Sequence, residues 1–155
     1  MRDNAIQRFR SRMLPLLACV VLAGCGGTYD SYVSGTVTLD GATLPRGTVA
    51  FSPQSPGAAA YGRIDSDGQY TIQTGREEGL ASGHYLATVV ANELPDQEGR
   101  DGGPPPAGKP ITPPWYRSAK TSGLEFTVEP GSNTIDISLT SEPPADWKPP
   151  KQRRR

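Results

Sequence analysis

From Tyr32 onward, apolar and polar residues alternate with a period of two. Val33, Gly35, Val37 and Leu39 fall on one side of an extended chain, and Ser34, Thr36 and Thr38 on the other. This is the pattern of a strand with one buried face. Asp40-Gly41 follows, a pair that tolerates positive φ and suits a tight reversal. Val49 and Phe51 mark a second strand that Pro53 stops, Ala60, Gly62 and Ile64 a third, and Tyr70 and Ile72 a fourth after the Asp65-Ser66-Asp67-Gly68 turn. In the fifth, Tyr85, Ala87 and Val89 share one face and Leu86 and Val90 the other, as in a central strand covered on both sides. Leu124, Phe126 and Val128 then face one way, Pro130-Gly131-Ser132-Asn133 predicts a turn, and Ile135, Ile137 and Leu139 complete a hairpin. No stretch carries a 3.6-residue apolar period and no segment repeats. The expectation is an all-β fold: one antiparallel β-sandwich of about seven strands over residues 32–141.

Two stretches break the alternation. Between Leu94 and Trp115 lie seven prolines and four glycines, which neither a strand ladder nor a helix interior accommodates, so 94–121 reads as a long loop. From Glu142 the chain is proline-rich and ends in Lys148, Lys151, Arg153, Arg154 and Arg155; residues 142–155 read as a disordered basic tail.

The N-terminus has a different logic. Arg2, Arg8, Arg10 and Arg12 precede a short apolar run, Met13 to Leu22, and small residues lead to a cysteine in Leu22-Ala23-Gly24-Cys25. The run is about half of the ~20 residues that a membrane-crossing helix needs, so 1–24 reads as a signal helix that is removed. The four residues resemble the lipobox of bacterial lipoproteins. That resemblance implies that the Cys25 thiol receives a diacylglyceryl group, that cleavage precedes Cys25, and that its new amine is acylated. Gly26, rather than Asp, follows the cysteine, and by the same analogy the outer membrane is the favoured destination. The linker 25–31 spans at most about 20 Å when extended, which keeps the folded part close to the membrane.

Processing changes the composition. Residues 1–24 take away four arginines and one aspartate, leaving 12 basic and 15 acidic residues and a net charge of −3 where the full chain sums to zero. Cys19 leaves with them, and Cys25 is committed to lipid, so neither a disulfide nor thiol chemistry is expected. Gly 18 and Pro 16 favour short strands and turns over helices.

Several short motifs in Gly35–Val89 occur in a familiar order: Gly35-Thr36-Val37, Asp40-Gly41 to Leu44-Pro45, Gly47-Thr48-Val49-Ala50-Phe51, Asp65-Ser66-Asp67-Gly68-Gln69-Tyr70, and Gly83-His84-Tyr85. Together they resemble the carboxypeptidase regulatory-like domain, a transthyretin-like sandwich related in shape to immunoglobulin domains. With Tyr116, Ser122-Gly123-Leu124 and Pro130-Gly131-Ser132-Asn133, the chain also resembles the small lipoproteins of planctomycete-type bacteria. The resemblance implies a non-catalytic accessory or binding module.

Candidate chemistry is sparse. His84 is the only histidine and the one possible general base for a hydrolase; the alternation directs it away from Tyr85, toward solvent. One histidine is too few for a catalytic zinc site. Asp65-Ser66-Asp67-Gly68 opens like a calcium loop, but Arg76 stands where the closing glutamate belongs, so a turn is the better account and no metal or cofactor is expected. Glu77 and Glu78 are adjacent and solvated, and Asp96, Glu98 and Asp101 sit in the long loop with nothing to hold two carboxylates at a catalytic separation. Trp115 and Tyr116, after Pro113-Pro114, could stack on a sugar or a protein partner; the preferred reading is that they fold back and cap a sandwich otherwise thin in aromatics. The basic tail reads as solvated, with anionic lipid the alternative contact, and export leaves no role for nucleic acid. The expectation is therefore a lipid-anchored envelope protein facing the periplasm or exterior. It serves as a structural or protein-interaction module and not as an enzyme; the alternatives are a carbohydrate-binding module using Trp115 and Tyr116 and a hydrolase using His84.

Overall fold

The computed structural model describes residues 28–95 and 108–148. Cys25, the expected signal helix, the centre of the long loop and Lys151–Arg155 lie outside the described residues. Among those described, the strands are β1 (Ser31–Leu39), β2 (Ala42–Thr43), β3 (Gly47–Pro53), β4 (Ala60–Ile64), β5 (Gln69–Thr71), β6 (Gln73–Thr74), β7 (Glu77–Glu78), β8 (Gly83–Val90), β9 (Leu124–Val128), β10 (Gly131–Thr134) and β11 (Ile137–Leu139), with a 3-10 helix at Pro114–Arg117. The strands form two sheets. In the first, β1 is bonded to β2, β5, β10 and β11; the second runs β7-β6-β4-β3-β8-β9. The seven expected segments are β1, β3, β4, β5 with β6, β8, β9, and β10 with β11. The fold is all-β and sandwich-like, as the alternation predicts.

The inward phase is also as expected. Val33 and Val37 of β1 face Val49 and Phe51 of β3 and Tyr85, Ala87 and Val89 of β8 across one core. Phe51, fully buried, sits at its centre, with ring centroids 6.5 Å from Tyr70, 6.0 Å from Tyr85 and 5.8 Å from Phe126. Each such side chain contributes roughly 1.5–3 kcal/mol by leaving water. The second face of β8 is only half covered: Leu86 and Val90 are intermediate in exposure, and His84 is exposed.

The pairing of the last strands departs from expectation. β9 and β10 do not form a hairpin. β9 pairs antiparallel with β8 in the second sheet, whereas β10 and β11 pair parallel with β1 in the first. Pro130-Gly131 is a bridge between layers. Its turn chemistry is local, as read: Asn133 Oδ1 accepts the Glu129 N–H at 2.9 Å and its Nδ2 donates to the Glu129 carbonyl at 2.8 Å. The apolar rows of the two strands face each other across the core rather than lying side by side. Period-two patterning specifies which side of a strand is apolar but not which neighbour it bonds.

β10 and β11 are one strand interrupted once. Asp30, Ser34 and Asp40 exchange backbone hydrogen bonds with 131, 135 and 139, while Ser31, Val33 and Val37 bond to Leu80, Ile72, Gly68 and Leu44 on the opposite side. At the break, Ile135 and Asp136 leave the ladder. The Thr36 N–H donates to Asp136 Oδ1 at 2.8 Å, and Tyr70 Oη donates to the Ile135 carbonyl at 2.6 Å. Gly35 permits this, because a Cβ there would collide with the Ile135 carbonyl. On the other flank, β5 and β6 carry the chain from the first sheet into the second with Tyr70, Ile72 and Thr74 buried throughout. That corner strand joins the two sheets on one flank.

β1 also fixes the long axis. At its start, Asp30 Oδ1 accepts the Ser82 N–H at 2.8 Å and the Ser31 hydroxyl at 3.0 Å, and Oδ2 accepts the Ser82 hydroxyl at 2.7 Å. At its far end, Asp40 and Gly41, both with positive φ, turn the chain, and Asp40 Oδ1 accepts the Ser141 N–H at 2.9 Å. Residues 142–148 open the stretch expected as a tail, and within them the Trp147 N–H donates to the Pro144 carbonyl at 2.9 Å. The Trp147 ring is half-buried at 5.1 Å from Trp115, edge to face.

Candidate functional site

The aromatic pair expected after the proline-rich loop is placed by backbone bonds to the end of β8. Ala91 donates its N–H to Thr112 Oγ1 at 3.0 Å, and the Ile111 N–H donates to the Ala91 carbonyl at 2.9 Å. The returning chain then enters the 3-10 helix with Pro114 at its first turn. Trp115 and Tyr116 are 5% and 6% exposed, packed on each other at 5.9 Å. Tyr116 Oη accepts the Thr140 N–H at 3.0 Å. Both rings are thus a cap on the sandwich, and Trp147 covers the free edge of Trp115. Neither offers a bare face on which a ligand can stack, which removes the basis for assigning them a sugar. Trp115 Nε1 is buried with no hydrogen-bond partner among the described residues.

His84 is exposed at the beginning of β8, opposite Thr127 of β9, with its Nδ1 3.0 Å from Thr127 Oγ1. Gln54, Glu125 and Phe126 border the same shallow depression of about 300 Å³. The contact is a cross-strand pair on a solvated face. Among the described residues, no group of three His, Cys, Asp or Glu side chains is placed to hold a metal. Asp65 acts as the turn reading requires: its Oδ1 accepts the Asp67 and Gln69 N–H groups at 2.9 and 2.8 Å.

A different site emerges from the folded chain. It lies on the flank where the corner strand joins the sheets. β4 sends Ala60, Gly62 and Ile64 inward, so Tyr61 and Arg63 stand outward, and Tyr61 is 55% exposed. Tyr61 pairs in register with Gln73 of β6. On one side of this row a concavity of about 690 Å³ is lined by Ser34, Thr36, Arg63, Asp65, Gln69, Thr71, Thr134 and Asp136 among others. On the other, about 790 Å³ lies against Arg46, Thr48, Val90 and Asn92, with Tyr61, Arg63 and Gln73 common to both. The two therefore form one open groove crossed by a ridge of Tyr61, Arg63 and Gln73.

The groove is stiff and chemically mixed. Its floor is the outer face of β1, β4, β5 and β6, beside the interruption between β10 and β11. Asp136 is pinned by the Thr36 N–H through Oδ1, leaving Oδ2 to accept from a ligand. Beneath it, burial holds the Tyr70 phenol well above its ordinary pKa, and the nearby Asp136 charge adds to this. Tyr70 thus stays a neutral donor to Ile135. The sequence reading did not single out Tyr61. Its signal was present in Ala60-Tyr61-Gly62-Arg63-Ile64: once the inward phase is set by Ala60, Gly62 and Ile64, an aromatic at 61 has no core to enter.

Comparison with protein-family models, with characterised proteins and with solved structures returns no match.

Proposed function

We propose that this chain is an envelope lipoprotein, tethered by lipid on Cys25, whose β-sandwich serves as a non-catalytic interaction module. The observation that carries the reading is one of sequence order. A basic start, a short apolar run and Leu22-Ala23-Gly24-Cys25 stand six residues before the first strand of a single sandwich. The likeness to carboxypeptidase regulatory-like domains and to small planctomycete-type lipoproteins supports it, as does the sorting expected from Gly26. No helix among the described residues is long and apolar enough to cross a membrane, so in this reading attachment rests on the acyl chains; two or more hold a protein stably where one does not.

An orientation follows. Ser31 begins β1 within about 20 Å of the lipidated residue, and nine residues of strand carry the chain some 30 Å to the Asp40 end. The Trp115 cap, both stems of the long loop, and Lys148 before the basic tail all lie at that far end. In this reading Lys148 leaves the sandwich at the end away from the anchored residue.

Metabolic labelling with a palmitate analogue, combined with N-terminal mapping, tests the reading. The expected result is label in the wild-type protein, a mature N-terminus at residue 25, and recovery with outer-membrane vesicles. Cys25→Ser is expected to stay unlabelled and uncleaved. Unlabelled wild-type protein, or label retained by Cys25→Ser, overturns it.

A further inference from the structure

We infer that the groove crossed by Tyr61 is a binding site for a linear, neutral glycan. The inference rests on the interaction-module reading and gives that module a ligand class. It uses none of the residues first considered for sugar contact, since Trp115 and Tyr116 are consumed by the cap.

Three observations converge. The first is Tyr61, an aromatic ring more than half exposed in the middle of a strand, where it contributes little to folding. A sugar ring has an apolar C–H face and a hydroxyl-bearing edge. It can stack on the tyrosine while its edge bonds to neighbouring polar groups, a combination that suits an amphipathic aromatic.

The second is the composition of the walls. Gln69 and Gln73 offer amides that both donate and accept, Thr71 and Thr134 offer hydroxyls that do the same, and Arg63 and Asp136 line the same concavity. Vicinal hydroxyls need such mixed partners. The larger share of the lining is uncharged, and its two guanidiniums, Arg46 and Arg63, are matched by two carboxylates, Asp65 and Asp136, so the groove carries no net formal charge that selects a polyanion or a polycation.

The third is shape. Each concavity lies within the range of small-molecule sites, about 300–1,000 Å³, yet both are open and they meet at the Tyr61 ridge. A polymer can pass through where a compact ligand would be poorly enclosed. Tyr32, also exposed, sits two residues from Ser34 on the same side of β1 and extends this face toward the Asp30 end. The floor is built from paired strands, so little ordering is required on binding.

The test uses the full lipidated chain in detergent micelles, titrated calorimetrically with cellohexaose, chitohexaose and maltohexaose. At least one is expected to bind, with Tyr61→Ala weakening affinity by about tenfold or more and Tyr61→Phe by less than about threefold. Arg63→Gln is expected to weaken it by about threefold to tenfold. These outward positions leave the thermal midpoint within about 2 °C of wild type, which separates lost binding from lost folding. Three outcomes overturn the inference: none of the three hexasaccharides binds, Tyr61→Ala binds as wild type does, or heparin binds in preference and is lost with Arg63→Gln. If palmitate labelling at Cys25 is intact while no glycan binds, the groove assignment falls and the tethered-module reading stands.

Discussion

Replacing Trp115 separates a structural cap from a ligand platform. The ring is 5% exposed and lies between Tyr116 at 5.9 Å and Trp147 at 5.1 Å. Truncating a buried aromatic to alanine costs about 3–5 kcal/mol, of which each well-placed aromatic pair supplies ~0.5–1.5. For a domain of this size, 1 kcal/mol lowers the melting midpoint by roughly 4 °C or more, so Trp115→Ala is expected to melt about 12–20 °C below wild type. The unpartnered Nε1 adds a discriminating control. Trp115→Phe loses some buried area but also removes a buried N–H whose desolvation costs about 1–3 kcal/mol; its net effect is expected to stay within ~1 kcal/mol. Trp147→Ala, at a half-buried edge, is expected to cost about 1–2 kcal/mol, and a double-mutant cycle with Trp115 gives their coupling. Urea unfolding followed by far-ultraviolet circular dichroism measures all four without relying on the indole signal. If Trp115→Ala stays within about 0.5 kcal/mol of wild type, the ring is no cap and the packing argument fails.

Three further outcomes follow from the break in the first sheet, from the Asp30 clamp on β1 and from the buried Tyr70 phenol. Gly35→Ala places a methyl against the Ile135 carbonyl, which is backbone and cannot swing aside; a loss of about 1–3 kcal/mol is expected, whereas Gly57→Ala, with ordinary contacts only, is expected to stay within ~0.5 by the same denaturation assay. Hydrogen bonds, first those from Ser82, hold the Asp30 carboxyl below its ordinary value of 3.8. Its stabilising effect is therefore complete above that pH and fades as pH falls through the folded-state pKa. Asp30→Asn is expected to be less stable than wild type at pH 7 and to converge with it in strong acid. At the alkaline end the sign reverses. Burial raises Tyr70 above 10.0, so its contribution is whole below pH 10 and drains away above it, and Tyr70→Phe is expected to flatten that limb. Parallel acid and alkaline unfolding curves check both; identical slopes for variant and wild type would refute the assignments.

Much of the fold is legible one strand at a time. The residues that alternate inward are those that make the core, because a period of two is a property of a single extended chain and needs no neighbour. The Asp65 turn and the Asn133 turn are local for the same reason: a side chain bonds backbone two to four residues away. The proposed lipidation of Cys25 rests wholly on this local register, since Leu22-Ala23-Gly24-Cys25 is one short contiguous segment. Which strand lies beside which is another matter. The last two strands look like a hairpin until the sandwich assigns one to each sheet, since burying two apolar rows face to face satisfies the same alternation as laying them side by side. The Trp115 cap needed Trp147 from the stretch expected as a tail, and the groove needed β1, the consecutive β4, β5 and β6, and Asp136, drawn from three separate stretches of chain. Local chemistry decided which residues turn inward and where the chain reverses; three-dimensional packing alone decided the neighbours, because hydrogen bonds between strands carry no record of sequence distance.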